Sequence, residues 1–449
     1  MRILHITEYC HAASVGGTER YILDLIRMLE AQGIQGVIGW LKPGSSFDTT
    51  EAGGVRIVTL PAPEMRVDSP LAQFEESALR FLEAEKPDWV HFHTFGLTEA
   101  AMARMAHQRG IPYAFSYHSP AWTCRRETML LHGKEPCDGE VRAARCSACQ
   151  SEERLGLGRI GGQLAAAGSM AFGWGTLALG RTSLRRRTAF YYDTVRFGRR
   201  LRQFLFDCSL VVSCCDWSRP VLLRNGARPE KVRDCPQGVS TDFQTAIEST
   251  QANAANENCN DFTIGYIGRV LPIKGPHILM EGFSRTKEAK ARLRIVGWEP
   301  ENAERPYGRQ IRALAEKDAR ISLVPKTGLA GTIAEYRRLS LLGIPSVWME
   351  TGPLTLFEAL AVGLPVYGSE RIGQLRLLGE RARTVKPNTP EAWHTALEEA
   401  LALYRNGAWL REVEHARGDG KLRTMQSVAE EMIEHYHALT LGSSLRVSR

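Results

Sequence analysis

The chain has 449 residues, of which 43% are apolar, 24% charged and 8% aromatic, a composition that excludes a disordered chain, a collagen-like repeat and a bare coiled coil. Because a single hydrophobic core rarely grows beyond about 250–300 residues, this length predicts two domains of roughly 200 residues each. The net charge of +7 arises from residues 154–202, which hold ten arginines and one acid, so the chain is not a general nucleic-acid binder.

In the first half of the chain, short apolar runs alternate with helical patterns. The N-terminal run lacks the apolar core of a signal peptide, which predicts a strand that opens a cytoplasmic domain. The predicted strands are Ile3–Thr7, Val37–Leu41, Val55–Leu60, Trp89–His93, Tyr113–His118 and Cys208–Ser213. Helices are predicted at Thr18–Gln32, which Thr18 can cap, and at Trp217–Asn225. This alternation predicts a parallel sheet that is covered on both faces.

The alternation restarts after residues 241–261, a polar, Asn-rich stretch that predicts a linker. The predicted strands of the second half are Phe262–Gly268, Leu293–Gly297, Ile321–Val324, Pro345–Met349 and Pro365–Gly368. The expected fold class is therefore α/β, with doubly wound domains at residues 1–240 and 262–415 that face each other across a cleft. Residues 416–449 are expected to form a helix that crosses back towards the N-terminal domain. Its apolar positions are Val428, Met432, Ile433 and Tyr436.

Two glycine-containing loops are candidates for binding phosphate groups. Gly16 and Gly17 follow the first strand and open a helix, whose N-terminus offers backbone N–H groups to an anion. In the second half, Arg269 and Lys274 follow a strand and supply two cations, which suit the charge of a diphosphate. The alternative interpretations are a plain turn and a pair of solvated surface cations.

The most specific motif is a pair of glutamates eight residues apart. Glu350 is predicted at a strand end in a Gly/Pro loop, and Glu358 falls in the following, mostly apolar helix. Carboxylates accept hydrogen bonds from vicinal hydroxyls, so the pair suits a sugar and a ribose. The alternative is a helix cap and a surface glutamate, which is disfavoured because an unpaired charge in an apolar helix is costly.

With these motifs the chain resembles the family-4 retaining glycosyltransferases of the GT-B fold, in which two Rossmann-like domains face each other across a cleft. The shared motifs are Gly16-Gly17, Pro236-Gln-Gly238-Val239, Gly268-Arg269 with Lys274-Gly275, and Glu350-x7-Glu358. The resemblance implies transfer of a sugar from a nucleotide-diphosphate donor, a UDP- or GDP-sugar, that is held mainly by the C-terminal domain. The expected acceptor is a lipid-linked or cell-envelope glycan, as in polysaccharide biosynthesis.

The resemblance also implies roles for individual donor-site residues. Arg269 and Lys274 would bind the diphosphate, Glu358 the ribose and Glu350 the hydroxyls of the donor sugar. Backbone groups of Gly16-Gly17 and of the loop Gly352-Pro353-Leu354-Thr355 would complete the anion site.

His118 and Glu350 are the expected catalytic residues, because His118 matches a family position near the transferred sugar and the acceptor. A packed or capping histidine is the alternative. The chain contains no Asp-x-Asp motif, so a catalytic metal is not expected. Two other functions stay open, an epimerase with the same architecture and a non-catalytic scaffold or binding protein.

An insertion in the N-terminal domain, at about residues 120–205, carries four clustered cysteines. Cys146 and Cys149 form the close pair that is typical of zinc sites, and four thiolates satisfy a closed tetrahedral ion. The other two are Cys124 and Cys137, and His118 and His132 are additional candidate ligands. A structural zinc is therefore predicted, with four reduced thiols as the alternative.

The same insertion contains the uncharged stretch Gly161–Gly180, followed by the arginine- and aromatic-rich Arg185–Phe206. The uncharged stretch is just long enough to span a bilayer. Its six glycines and its positive flanks, Arg159 and Arg181, favour attachment to an anionic membrane surface over spanning. The expected location is cytoplasmic, with peripheral attachment to the inner face of the cell membrane. The alternative is a pair of helices packed on the N-terminal domain.

Overall fold

A computed structural model describes residues 1–7, 16–43, 48–62, 71–178, 189–251, 261–418 and 422–444 of the chain. It divides the chain into two compact units. The first comprises Met1–Pro236 together with the C-terminal helix from Gln426 onwards, and the second comprises Gln237–Met425. Each unit is built on its own largely parallel sheet, which confirms the predicted α/β class.

The first unit contains an eight-stranded sheet with the order β10-β9-β6-β5-β1-β2-β4-β3. Its strands are β1 Arg2–Ile6, β2 Gln35–Pro43, β3 Asp48–Ala52, β4 Val55–Ala62, β5 Trp89–Phe92, β6 Tyr113–Tyr117, β9 Leu210–Ser213 and β10 Val232–Asp234, while β7 Leu130–Leu131 and β8 Glu135–Pro136 form a separate hairpin. Neighbouring strands run parallel except at the edge, where β3 pairs antiparallel with β4. The central strands β5, β6 and β9 are wholly buried, which explains their mostly apolar sequences.

The helices of the first unit before its C-terminal helix are α1 Gly17–Glu30, α2 Ala72–Glu85, α3 Leu97–Gln108, α4 Ala143–Leu155, α5 Arg159–Ala178, α6 Phe190–Asp207 and α7 Ser218–Arg224. The expectation that Thr18 caps α1 is wrong. The N-cap is Gly16, whose backbone is extended, and Thr18 already lies inside the first turn. A side chain caps a helix from the residue before its first turn, so Thr18 is too far along the chain to do so.

The second unit contains a six-stranded, wholly parallel sheet with the order β13-β12-β11-β14-β15-β16. Its strands are β11 Phe262–Ile267, β12 Ala291–Trp298, β13 Ile321–Pro325, β14 Leu341–Ile344, β15 Val366–Ser369 and β16 Ala382–Val385. Its helices are α8 Thr241–Gln251, α9 Pro276–Phe283, α10 Pro306–Glu316, α11 Leu329–Arg338, α12 Leu354–Ala361, α13 Pro390–Arg405 and α14 Trp409–Arg417.

Two predicted elements of the second unit differ from the structure. Residues 241–251 form α8 rather than a linker, because Phe243 and Ile247 recur at helical spacing and are buried in the core of that unit; residues 252–260 lie outside the described residues. The strand predicted at Pro345–Met349 lies at Leu341–Ile344 instead, since Pro345 lacks the N–H that a central strand requires. Glu350 therefore follows a loop rather than ending a strand.

The C-terminal helix, α15 Met425–Ser444, packs within the first unit. Val428, Met432 and Tyr436 are fully buried. The Tyr436 hydroxyl lies 2.6 Å from Nδ1 of His91 on β5, and its ring packs against Trp89. The last helix of the chain thus packs on β5 of the N-terminal sheet.

Candidate active site

Lys274 and Glu350 form a largely buried ion pair in the second unit. Lys274 ends a short 3-10 turn after β11, and its ammonium contacts Oε1 of Glu350. The Ser346 hydroxyl donates to Oε2 of the same carboxylate. The Lys274 ammonium also lies 5.1 Å from the ring centroid of Trp348, a distance at which a cation is attracted to an aromatic face. The structure therefore brings these two predicted donor-site residues together with fixed orientations.

Backbone contacts join the loop after β11 to the loop after β14. The Val347 N–H donates to the Ile273 carbonyl at 2.8 Å. Gly275 has φ +71°, and a Cβ there would lie 2.1 Å from the Pro345 carbonyl oxygen. Only glycine permits so close an approach. The two loops are held against each other at the carboxyl ends of adjacent strands, where ligands of parallel sheets bind.

Glu358 is buried on α12 and is hydrogen-bonded. The Tyr336 hydroxyl, on α11, donates to Oε2 of Glu358 at 2.8 Å. The same hydroxyl lies 3.4 Å from the Thr355 carbonyl oxygen at the start of α12. Tyr336 thus orients the carboxylate that is predicted to bind a ribose, and no motif or spacing in the sequence indicates this contact.

Arg269 lies in the loop that follows β11, ahead of Lys274. Its side chain is exposed, and its carbonyl accepts a hydrogen bond of 2.6 Å from the Tyr266 hydroxyl. Burial raises the pKa of Tyr266 well above its ordinary value, and the negative charge of Glu350 adds to this shift. Tyr266 therefore links the backbone of Arg269 to the electrostatic environment of Glu350.

The predicted anion-binding loops lie at two helix N-termini in different units. Gly352 is buried against the Gln374 side chain, and Pro353 is the N-cap of α12, which begins at Leu354. In the first unit, Gly16 precedes α1, and a Cβ there would meet the carboxylate of Glu19. The expectation that Gly16-Gly17 faces the donor residues across a cleft stays a prediction.

His118 follows β6 in the first unit and belongs to a cluster of four buried histidines. The others are His5 on β1, His91 on β5 and His93 directly after β5. Burial lowers the pKa of His5 and His118 to about 3, and it lowers the pKa of His91 and His93 well below the ordinary value. The four imidazoles are therefore neutral at pH 7. Of these four, only His118 matches a family position, although the alternation of His91 and His93 along one strand indicates that they share a face.

The histidines and the clustered cysteines are the candidate metal ligands. In the described ranges, only His5, His91 and His93 offer three ligand atoms within 4.8 Å of one another. Both ring nitrogens of His91 already lie within hydrogen-bond distance of hydroxyl groups, so these contacts account for the cluster without an ion. The four predicted cysteine ligands do not form such a compact set. The zinc site stays a prediction.

Two of those cysteines nevertheless accept backbone hydrogen bonds. The N–H groups of Arg126 and Met129 point to the thiol of Cys124, and the His132 N–H lies 3.3 Å from Sγ of Cys149. The His132 ring lies 2.6 Å from a Glu152 carboxylate oxygen, measured at Nδ1. Burial outweighs these donors: it raises the pKa of Cys124 to about 11 and raises the pKa of Cys149 above its ordinary value, so without a bound metal both side chains are thiols.

The basic insertion folds as three packed helices. Small residues of α5 face α4 and α6, as shown by the 2.9 Å bond from the Ser151 hydroxyl to the Gly162 carbonyl and the 3.0 Å bond from the Tyr191 N–H to the Ser169 hydroxyl. The interpretation of Arg185–Phe206 as a surface-lying helix is wrong for α6. Its inner face is buried, and Phe204 packs among the rings of three sheet residues, Phe92, Tyr113 and Phe115.

The remaining part of the membrane prediction rests on α5. Gly180, Arg181 and residues 185–188 lie outside the described residues. Among the helices that are described, none combines the length and the apolar character needed to cross a membrane. Large apolar side chains on the outer face of α5 are strongly exposed: Ile160 at 74%, Leu164 at 68% and Phe172 at 78%.

Two protein-family models match the chain, one in each of its two units. A model described as Glycosyltransferase Family 4 matches residues 15–136, and a model described as Glycosyl transferases group 1 matches residues 261–402. The chain is 27% identical over 233 residues to D-inositol 3-phosphate glycosyltransferase from Segniliparus rotundus, which is 50% of this chain and 50% of that protein. The protein of the same name from Stackebrandtia nassauensis is 29% identical over 190 residues, 39% of this chain and 42% of the relative. The chain thus spans about half the length, or less, of the curated relatives it matches.

Solved structures match nearly the whole chain. Sucrose-phosphate synthase from Thermosynechococcus elongatus aligns with a TM-score of 0.64 and 17% identity, over 98% of this chain and 99% of that chain. HepE from Anabaena, solved in complex with UDP and glucose, aligns with a TM-score of 0.61 and 13% identity, over 97% and 99% of the two chains. At these identities the likeness shows the fold.

Proposed function

The chain belongs to the family-4 glycosyltransferases of the GT-B fold, and from that premise we propose that it is a retaining enzyme that transfers a sugar from a nucleotide-diphosphate donor to a glycan. The observation that carries the proposal is the ion pair of Lys274 with Glu350, together with the buried and hydrogen-bonded Glu358 on the following helix. A cation that can bind phosphate and two oriented carboxylates that can accept from hydroxyl groups support a donor site of the predicted kind.

The donor would be held by groups of opposite charge. An ammonium has three donor hydrogens, so the contact of Lys274 with Glu350 leaves capacity for diphosphate oxygens. The exposed Arg269 adds a second cation. Glu350 and Glu358 would accept hydrogen bonds from the sugar and the ribose. Because the Anabaena neighbour holds UDP and glucose, UDP-glucose is the first donor to test, followed by GDP-sugars.

Transfer would proceed on one face of the sugar without a divalent metal. The bond from the anomeric carbon to the diphosphate oxygen breaks, and the acceptor oxygen bonds to that carbon on the same face. The acceptor's proton passes to the departing diphosphate. Lys274 and Arg269 would neutralise the charge that develops on that leaving group, which is where fixed cations contribute most to catalysis.

A nucleotide screen tests the donor site. We expect UDP or GDP to raise the thermal unfolding temperature of the wild-type chain, and Lys274→Ala and Glu358→Ala to lower transfer about 100-fold or more. Arg285→Ala is the matched control, because it removes a cation of the same unit from an exposed ion pair with Glu391. If Lys274→Ala and Glu358→Ala both transfer sugar at the wild-type rate, the site assignment is wrong. Release of an epimerised nucleotide sugar without transfer would instead support the epimerase alternative.

We also propose that the enzyme works at an anionic membrane surface, where a lipid-linked acceptor would be found. On α5, Ile160, Leu164 and Phe172 are spaced by multiples of four residues, so they share one face. That face is outward, whereas the small residues face inward, and Arg154 and Arg159 are exposed nearby. An exposed apolar stripe beside basic residues is typical of a helix that lies in the membrane interface.

Flotation with liposomes tests the membrane proposal. We expect the wild type to float with anionic liposomes at low salt and to be released at high salt. Replacement of both Ile160 and Phe172 by serine should abolish flotation. The control Leu410→Ser removes an equally exposed apolar side chain from the second unit, where residue 410 is 70% exposed, and it should float as the wild type does. A wild-type chain that stays with the unbound fraction at low salt would contradict the proposal.

A further inference from the structure

Three of the buried histidines form a hydrogen-bonded chain that ends at His118. Nδ1 of His5 lies 3.0 Å from Nε2 of His93, and Nδ1 of His93 lies 3.0 Å from Nε2 of His118. The planes of neighbouring rings are inclined by only 18° and 17°, and the ring centroids lie 5.3 Å apart in both pairs. This separation is what results when each N···N contact lies along the line between the centroids. Both contacts thus have the geometry of in-plane N–H···N hydrogen bonds.

The tautomers of the three rings depend on one another. A neutral imidazole carries one N–H and one nitrogen lone pair. Because each N···N contact holds a single hydrogen, a ring that donates through one nitrogen must accept through the other. The chain therefore has only two arrangements. Either every ring donates towards His118, or every ring donates towards His5.

The far end of the chain favours one of these two arrangements. Nε2 of His5 is buried and finds no hydrogen-bond partner among the residues that the structure describes. A buried N–H without an acceptor is rarer in proteins than an acceptor without a donor. His5 is thus expected to carry its hydrogen on Nδ1, where His93 accepts it. By the same logic His93 donates from Nδ1 to Nε2 of His118, which leaves the hydrogen of His118 on Nδ1.

We propose that His5 and His93 are positioning residues that hold His118 in the Nδ1–H tautomer, so that His118 acts as a hydrogen-bond donor and not as a general base. In the structure this nitrogen lies 3.9 Å from Sγ of Cys214, a weak acceptor. An oxygen of the donor sugar or of the acceptor is a stronger acceptor for the same N–H. The role in transfer rests on the proposed function, whereas the tautomer does not.

Nuclear magnetic resonance of the full chain labelled with ¹⁵N-histidine reads the tautomer without any substrate. We expect the His118 signals, identified from their loss in His118→Asn, to show a protonated Nδ1 and an unprotonated Nε2. The opposite assignment would overturn the proposal. So would a stoichiometric divalent metal in the purified protein that shifts the His5 and His93 signals, since a metal replaces the hydrogens between the rings. This experiment stands even if no nucleotide sugar is turned over.

Substitutions of His5 test the direction of the chain. His5→Asp places a carboxylate at the far end, which accepts a hydrogen bond from Nε2 of His93. His93 must then accept through Nδ1, so the remaining N···N bond, between His93 and His118, is reversed. We expect His118 to change to the Nε2–H tautomer and kcat to fall about tenfold or more, the loss typical of one strong hydrogen bond, with the donor KM little changed. His5→Asn can still donate and should restore most of the turnover and the wild-type tautomer.

His91 supplies the matched control. It is equally buried, but it contacts the Ser116 and Tyr436 hydroxyls and stands outside the chain of rings. His91→Asn should lower thermal stability without changing the His118 tautomer. Equal losses of kcat in His5→Asp, His5→Asn and His91→Asn, with an unchanged His118 tautomer in all three, would contradict the proposal. The three hydrogen-bonded histidines would then contribute only to packing.

Discussion

At the scale of single residues, the candidate donor site contains two buried carboxylates, each of which accepts a hydrogen bond from a hydroxyl group. Ser346 donates to Glu350, and Tyr336 donates to Glu358. A buried carboxylate is costly unless such donors offset its lost hydration. The same hydrogen bonds also restrict each carboxylate to one orientation. Less side-chain entropy is then lost when a sugar or a ribose binds.

Removal of the Tyr336 hydroxyl should therefore affect both stability and donor binding. For Tyr336→Phe we expect a loss of about 1.5–3 kcal/mol in the free energy of unfolding, the value of one hydrogen bond to a charged group. The donor KM should rise more than kcat falls, because Glu358 is expected to bind the ribose and not the reacting atoms. Calorimetry and donor titrations measure the two effects. The control Tyr404→Phe alters a more exposed tyrosine of the same unit, and an equal rise in KM there would contradict the prediction.

Residue types and their spacing single out Lys274, Glu350 and Glu358 as candidate donor-site residues, but they do not predict which side chains these residues contact. The contact between Lys274 and Glu350 depends on β11 and β14 being neighbours in the sheet, although the two strands are separated by β12 and β13 along the chain. The contact of Tyr336 with Glu358 likewise joins two different helices. The histidine cluster requires the register that pairs His5 with His91 across β1 and β5. None of these pairings is visible in local periodicity.

At the scale of elements, the loop from Cys124 to Cys137 has an unusual backbone. Four non-glycine residues with positive φ occur in the described part of the chain, and three of them, Glu127, Met129 and His132, lie in this loop. Each such residue costs about 1 kcal/mol or more, so other interactions must hold the loop. Backbone N–H groups aimed at Cys124 and Cys149 are one such interaction, and a bound metal would strengthen it.

Elemental analysis of the purified protein tests the zinc prediction. We expect about one zinc per chain and a lower unfolding temperature after chelation, because metal binding adds directly to folding stability. Cys146→Ser should remove both the zinc and the effect of the chelator. The control Cys208→Ser changes a buried cysteine that lies outside this loop and should keep the metal. A zinc content near zero in the wild type would exclude the site.

Elements that are buried on both faces were the easiest to predict. The strands β5, β6 and β9 are mostly apolar because the helices cover both sides of the sheet. In the second unit, Leu341–Ile344 and the following Pro345–Met349 are both apolar, and only the missing N–H of Pro345 separates strand from loop. For α6, the alternation of arginines and aromatic residues resembled an interfacial helix, but tertiary packing buries its aromatic face on the sheet.

At the scale of the whole molecule, the buried histidines couple folding to pH. Burial holds the pKa of His5 and His118 at about 3, whereas the same side chains titrate near 6.5 in an unfolded chain. The titratable side chains of Tyr436 and Cys214 face the cluster from neighbouring elements, and burial raises the pKa of both, so they stay neutral in this range. Below about pH 6.5 the unfolded state therefore binds protons that the folded state does not.

The free energy of unfolding should thus retain the full contribution of these histidines above about pH 7. It should fall as the pH drops from about 6.5 towards 3. Each histidine that stays neutral in the folded state contributes a slope of about 1.4 kcal/mol per pH unit in that window. Urea unfolding followed by circular dichroism at a series of pH values measures the slope.

His91→Asn should reduce this slope, since burial holds the pKa of His91 well below its ordinary value. The control His107→Asn, at an exposed position on α3, should leave the slope unchanged. Because His91 stands outside the chain of rings that ends at His118, its substitution changes the number of protons taken up on unfolding without breaking that chain. An identical slope in His91→Asn and the wild type would show that the cluster is already protonated, or open to water, in the folded protein.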